Sequence, residues 1–470
     1  MVADATSSGS FFTPFDPEWS VPRLIVAMRD LGPVVGLETA LPSGPPVLHR
    51  VAGAPLWTLE LRGGRWQVEE MRSKAPGLEL LMQSAPTVFH ALERAVDYLQ
   101  RQLESPAGHA GVFGFLGYEC NRRHSAPDHL QAFFLATDTV AQWRSDRGPA
   151  RLWSRDPELA AAILVRAAQE DRSEHPPFGA RGDESLPLFL PEDLDFERYR
   201  AIHSRLKDYL RRGDSYQLCF TYPIRRLFDG DPLDLYRDLR ATNPSPFAAF
   251  VEGPGFALVS SSPERFLRLS KDGHVEARPM KGTIGRTGDP AVDERVKEVL
   301  LDSAKDQSEN LMIADLLRND LGRVCRLGSA EITHRAVLEE YSTVYQLVSQ
   351  VEGDLRPGCT FADLLCSAFP PGSMTGAPKV RSVEILEEIE GVPRGAYSGA
   401  LGYIAADGTM DLSVIIRSVW IERGVASCGV GSGVLFESTA PSEFEETRLK
   451  AKASLCALRR VHRGPWLAPR

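Results

Sequence analysis

The chain has 470 residues, 43% hydrophobic and 25% charged, with a formal net charge of −9. The acidic excess excludes a general nucleic-acid binder, which needs basic tracts to displace counterions from phosphates. Seven cysteines stand singly (Cys120, Cys219, Cys325, Cys359, Cys366, Cys428, Cys456) with no CxxC pair, which argues against a disulfide framework or a zinc knuckle and for a reducing compartment. No uncharged apolar stretch is long enough to span a membrane, and the first residues carry no basic-then-apolar leader, so a cytoplasmic protein without a membrane partner is expected.

A chain of this length holds two to four average domains or one continuous α/β body. Residues 1–145 mix strand-like runs (GPVVGL, LWTLEL, AGVFGFLGY) with one amphipathic helix around PTVFHALERAVDYLQRQL, the mark of α/β or α+β architecture. Residues 146–192 change composition and read as a connector, with a short helix in the middle and a Pro/Gly-rich stretch, HPPFGARGDES. Next, Phe196, Tyr199, Ile202, Leu206 and Tyr209 fall at helical spacing, and Gly213 stops the helix just past its basic last turn. The runs SYQLCFTYPI, PFAAFVEG, FALVSSSPERFLRLS and HVEARPM read as strands, followed by a long helical region from PAVDERV to NDLGRV. The stretch LSVIIRSVWIERGVASCGVGSGV reads as two strands, then a last helix runs through SEFEETRLKAKASLCALRRV to about residue 462, leaving 463–470 as a tail.

Four carboxylates stand out by spacing. Asp306 and Glu309, and Glu443 and Glu446, are i, i+3 pairs on expected helices, so each pair shares a face. Two such faces brought together supply oxygen ligands for a hard divalent ion such as Mg²⁺; alternatively they only solvate the helices or pair with Lys305 and Lys450. The turns GVGSGV and PPGSMTGAPK expose backbone N–H groups able to bind a carboxylate, or are ordinary turns; neither completes a nucleotide-binding loop. Arg417, flanked by apolar neighbours, needs an anion if buried, and Tyr397 can add a hydroxyl to the same anion. Glu264, between Pro263 and Arg265, is a candidate general acid, while Lys281 sits in the rigid turn ARPMKGTIGR, where most lysines would simply be solvated.

In order along the chain, GDSYQ (213–217), SPERF (262–266), RPMKGT (278–283), ENLMIADLLRNDLGRV (309–324), PGSMTGAPK (371–379), AYSGALGY (396–403), DLSVIIRS (411–418), GSGV (431–434) and EFEETRLKAKA (443–453) resemble the motifs of the chorismate-utilising enzymes. The N-terminal part fits more loosely, through GLETA (36–40) and GVFGFLGYE (111–119). The resemblance implies an α/β (α+β) fold of the anthranilate synthase component I type: two large antiparallel sheets packed together with helices outside. It makes 1–145 an N-terminal region, 146–192 a connector and 193–462 the chorismate-binding catalytic region. By motif, Glu309 and Glu446 would hold Mg²⁺ directly, and Asp306 and Glu443 through water. Tyr397, Arg417 and the Gly433 backbone would take the enolpyruvyl carboxylate, with Gln217, Thr283, Ser373, Gly431 and Lys450 completing the substrate site.

Gln217 stands where the water-adding branches of the family carry a general-base lysine, and this points to an ammonia-using branch. Lys281 gives PxKGT, the pattern of the aminodeoxychorismate synthases, where anthranilate synthases, the alternative, usually have alanine. Asp363, where anthranilate synthases tend to have histidine, leans the same way. Lys281 would then be a covalent nucleophile at C2 and Glu264 the acid for the departing C4 hydroxyl. An unperturbed lysine is neutral about once in a few thousand at pH 7, so a depressed pKa is expected for Lys281. None of the cysteines sits in a glutaminase context, so ammonia is expected from a separate glutamine amidotransferase subunit, and the product should keep its enolpyruvyl group on the way to 4-aminobenzoate and folate. GLETA loosely matches an amino-acid effector stretch of some relatives, which leaves regulation open.

Overall fold

The computed structural model describes residues 11–40, 47–103, 109–120, 129–146, 148–170, 187–341 and 344–469. The Pro/Gly-rich stretch HPPFGARGDES of the expected connector lies outside the described residues. Among the described residues of that connector, Arg151–Ser154 is a strand and Pro157–Gln169 a helix capped by the Asp156 side chain, which accepts from Glu158 and Leu159 N–H. Among the described residues no helix is long and apolar enough to cross a membrane.

Two 11-stranded, antiparallel sheets form the body. The first runs Phe11–Pro14, Arg151–Ser154, Val140–Arg144, Leu48–Ala52, Val34–Thr39, Phe247–Gly253, Phe256–Ser262, Ser418–Glu422, Val425–Val434, Gln217–Leu227, Gly376–Ala377. The second runs Met280–Gly285, Val344–Asp354, His274–Arg278, Arg265–Leu269, Met410–Val414, Ala400–Ala405, Gly111–Leu116, Leu130–Thr137, Trp57–Arg62, Arg65–Glu70, with Glu331–Glu340 on the other side of Val344–Asp354. Both sheets take strands from before and after the connector, so neither stretch builds a sheet of its own.

Phe113, Phe115, Phe133, Leu258 and Ile415 pack between the sheets. Outside, Val88–Gln102, Ala304–Gly322 and Phe361–Ala368 cover the second sheet, and Val21–Arg29, Pro232–Thr242 and Ala440–Val461 cover the first. Burial on both faces explains why Leu130–Thr137, every residue of it buried, reads as a continuous apolar run rather than an alternation. The segment after 462, expected as a tail, folds back: Trp466 is buried under Arg226, and Leu227 N–H donates to Leu467 O. In GLETA, Glu38 is buried and already accepts from Tyr236 and Arg240 and pairs with His49.

Two neighbouring chain segments cross from one sheet to the other side by side. Phe256–Ser262 leads into Arg265–Leu269, and Met410–Val414 into Ser418–Glu422; Ser260 pairs with Ser418 and Arg265 with Ser413. Glu264 and Arg417 sit at these crossings, outside the strands, and their carbonyls accept from Val414 N–H and Ser261 N–H.

Candidate active site

Lys281 owes its position to a bulge. The register of Met280–Gly285 against Val344–Asp354 slips between Lys281 and Thr283, and the residue between them, Gly282, has φ +72°. A Cβ on Gly282 would fall 2.9 Å from both Asp306 Cβ and Leu300 Cδ1, so glycine lets this strand press against the start of the Ala304–Gly322 helix. The result aims Lys281 Nζ to 4.0 Å from Glu309 Oε2 with its side chain 16% exposed. The strand Val425–Val434 closes the other side: a Cβ on Gly433 would lie 2.5 Å from Gln217 Nε2 and 3.6 Å from Lys281 Nζ. Gln217, from the first sheet, and Lys281, from the second, thus meet over one glycine.

The reacting side chains are poorly satisfied within the chain. Both Gln217 amide atoms are buried with no hydrogen-bond partner among the described residues, and buried Ser373 Oγ has only the Glu264 carboxyl beside it. Such groups cost free energy unless a ligand pairs them. Glu264 is buried, and burial pushes its carboxyl up to about 7 against the opposing pull of nearby Ser373, Lys281 and Lys450.

Arg417 corrects the expectation of a residue within a strand: it occupies the crossing, with φ +53°, a strained conformation for a side chain of its size. No described residue accepts a hydrogen bond from its guanidinium; burial draws its pKa below the ordinary value, and Tyr397 and Glu446 pull the other way. The Tyr397 ring lies flat on Gly429, where a Cβ would be 2.1 Å from Tyr397 Cγ, and the following residue, Ser398, is also left-handed at φ +68°. An unpaired guanidinium beside a phenol is a receptor for a carboxylate.

The acidic pairs come together around lysines. Lys305 Nζ lies 2.9 Å from Glu443 Oε1 and 3.8 Å from Glu309 Oε1, and Lys450 Nζ donates to Glu446 Oε1 at 2.6 Å and to Gly431 O at 3.1 Å. Burial lifts the Glu309 pKa despite Lys281 and Lys305, whereas Lys450 holds Glu446 below the usual carboxylate range despite burial. Asp306 is partly used locally, accepting from Ser303 Oγ at 2.5 Å at the helix cap. Among the described residues no three acidic, His or Cys side chains converge tightly enough to hold a metal as they stand. The donor chemistry nonetheless suits a hard cation: every candidate ligand atom is a carboxylate oxygen, and Glu443 Oε2 is buried without a partner.

Two sequence expectations change. Lys281 is not depressed: burial lowers its pKa, but Glu309 first, then Cys219, Glu264 and Glu446, outweigh it and leave the amine above its ordinary value. The carboxylates expected to bind a metal are the same groups that hold its proton. Asp363 sits in the first turn of the Phe361–Ala368 helix, where its carboxylate accepts the backbone N–H of the capping residue Thr360, and it faces His90. Thr283 is exposed, and its hydroxyl accepts from Gln346 Nε2 rather than joining the others. What the sequence reading missed is Arg394, whose buried guanidinium braces the back of this site.

Comparison with known proteins agrees with this geometry. The chain is 44% identical to an aminodeoxychorismate synthase, chloroplastic, of Arabidopsis thaliana over 85% of its length and 47% of the relative's. It is 39% identical to an aminodeoxychorismate synthase component 1 of Salmonella typhimurium over 77% of its length and 82% of the relative's. The chain therefore spans about half the length of the curated relatives it matches first, and most of the component 1 protein. Its fold superposes on an anthranilate synthase component I from Streptococcus pneumoniae with a TM-score of 0.69 at 25% identity, covering 89% of this chain and 94% of that one. With residues 62–455 matching the chorismate binding enzyme family, the chain belongs to that family.

Proposed function

We propose that this chain aminates chorismate at C4, yielding 4-amino-4-deoxychorismate, as an aminodeoxychorismate synthase component that takes ammonia from a glutamine amidotransferase partner in a cytoplasmic route to 4-aminobenzoate and folate. The observation that carries this reading is Lys281 held beside Gln217 and Glu309, an amine placed where the alternative, an anthranilate synthase, would leave room for ammonia at C2. The names of the relatives support it.

Arg417 and Tyr397 would receive the enolpyruvyl carboxylate, and Gln217 and Ser373 would pair with polar atoms of the substrate. Lys281, once neutral, would attack C2 as both ring double bonds shift, C1=C2 to C1=C6 and C5=C6 to C4=C5, and the C4 hydroxyl leaves. Glu264, protonated near neutrality, would give that hydroxyl its proton, so that water departs. Ammonia would then attack C4, both double bonds would shift back, and the Lys281 amine would leave with the proton that ammonia sheds. The two displacements balance as chorismate plus ammonia giving the 4-amino product plus water.

Glu309 and Glu446 would hold Mg²⁺, supported by Asp306 and Glu443. When bound, the ion would neutralise the ring carboxylate and engage the Glu309 charge that otherwise keeps Lys281 protonated. Lys305 occupies the same carboxylates in the chain alone, and it is 41% exposed. Lys305→Met is therefore expected to lower stability without Mg²⁺ by about 1 kcal/mol, as an exposed partner of a buried acid should. Added Mg²⁺ should raise the thermal midpoint of the variant more than that of the wild type, as measured by differential scanning fluorimetry; equal shifts would separate Lys305 from the metal site.

The deciding assay incubates the protein with chorismate, Mg²⁺ and ammonium, with and without an aminodeoxychorismate lyase. 4-Aminobenzoate formed only when the lyase is present is the expected result. Fluorescent anthranilate and pyruvate formed without the lyase would overturn the assignment in favour of an anthranilate synthase.

A further inference from the structure

Arg394 lies on the short connection Gly391–Ala396 that leads to Tyr397, with its side chain 2% exposed. Its Nε and Nη2 donate to the two Glu390 carboxylate oxygens at 2.8 and 2.7 Å, a two-pronged pair across one helical turn's spacing. The remaining donors do not serve the pair. Nη1 donates to Met374 O at 2.6 Å and to Ser398 Oγ at 3.2 Å, and Nη2 donates also to Cys219 O at 2.8 Å. The plane stacks on Tyr118, 4.3 Å from the ring centre. Glu390 Oε1 in turn accepts from Thr221 N and Oγ1, while Glu119 accepts from the backbone N–H of Arg394 and Gly395.

The points that one guanidinium joins are the neighbours of the substrate groups. Met374 follows Ser373, Ser398 follows Tyr397, and Cys219 is two residues past Gln217 on the same strand. Arg394 itself borders a cavity of about 260 Å³, with Thr221, Glu390 and Gly429, and of the candidate site residues only Tyr397 borders that cavity. A planar fork with five donors in fixed directions can hold three backbone segments in register, which the single point charge of a lysine cannot.

We propose that Arg394, with Glu390 as its counter-ion, is a positioning residue that sets the spacing between the carboxylate receptor at Tyr397 and the polar groups at Ser373 and Gln217, and so determines chorismate affinity. The inference rests on the function proposed above, but only for the identity of the ligand.

The test uses two full-length variants. Arg394→Lys keeps the charge and loses the fork. The paired change Glu390→Leu with Arg394→Met removes both charges together, so no lone ion is buried and stability need not suffer. Chorismate binding is followed by titration calorimetry with Mg²⁺ present, and KM and kcat by product formation. Expected are cooperative melting, chorismate Kd and KM raised by at least about tenfold in the paired variant and less in Arg394→Lys, and kcat within about threefold of wild type. A melting-competent paired variant with wild-type Kd, or activity lost only in proportion to unfolded protein, overturns the proposal. If the paired variant does not fold, Arg394→Lys decides by the same criteria. Wild-type protein that binds chorismate but makes no C4 amine would sink the functional reading and leave the Arg394 test intact.

Discussion

Replacing Lys281 by alanine is expected to lower formation of the 4-amino product by a factor on the order of a hundred to ten thousand, the range of a lost catalytic group, while chorismate affinity changes little. The side chain is held by Glu309 rather than by the carboxylate receptor at Arg417 and Tyr397, so its loss leaves that receptor in place. It also removes one of the two lysine charges beside Glu309, the other being Lys305, which eases competition for the acidic cluster and should not weaken Mg²⁺ binding. Steady-state assay with coupled lyase, together with calorimetric chorismate binding, separates these effects. Full C4 amination by the variant would rule out the covalent adduct, and a large loss of chorismate binding would make Lys281 a substrate anchor instead. Lys281→Arg is expected to be as inactive as alanine: guanidinium keeps its proton and offers no lone pair to C2.

The raised pKa of Lys281 does not contradict this role, because it describes the chain before its acidic cluster is engaged. Burial and the carboxylates act in opposite directions on the same amine, and the carboxylates prevail. Sequence reasoning saw the burial and the carboxylates separately, as a rigid turn at 279–282 and as i, i+3 pairs. It could not see that they touch, since 281 and 309 are joined only by the Gly282 bulge against Asp306.

The same division runs through the rest of the molecule. Strands such as Gly111–Leu116 and helices such as Phe196–Arg211 declare themselves through apolar runs and helical spacing, and the carboxylate pairs through the period of the helix that carries them. Arg417 could be picked out as a cation among apolar residues, but its placement at a crossing depends on Met410–Val414 and Ser418–Glu422 belonging to different sheets, a long-range fact. Arg394 left the faintest signal. Glu390 and Arg394 are i, i+4, yet Gly391 and Pro393 between them end the helix, so the pair reads as a solvated terminus when in fact both side chains are buried. The backbone carbonyls Met374 O and Cys219 O, which take two of its five donors, carry no side-chain signature at all.

Glu264 offers a test in which activity and stability move in opposite directions. With a carboxyl pushed up to about 7, the protonated acid is about half present at pH 7 and falls about tenfold per unit above it, so the amination rate should show a basic limb beginning near neutrality. Glu264→Gln should lose the limb and about a hundredfold to ten-thousandfold in rate. The stability consequence has a definite sign. The folded pKa lies above the ordinary 4.5, so the buried carboxyl costs nothing while protonated in both states below that value, and folding is progressively penalised as pH rises from 4.5 through 7. Above 7 the full difference corresponds to about 3 kcal/mol. An amide that never ionises escapes this cost, so chemical denaturation should find Glu264→Gln more stable than wild type at pH 8, by up to that amount, with the gap closing toward pH 5. A variant no more stable at pH 8 than at pH 5 relative to wild type would show that Glu264 ionises freely in the folded chain, and the acid for the departing hydroxyl would have to be sought elsewhere.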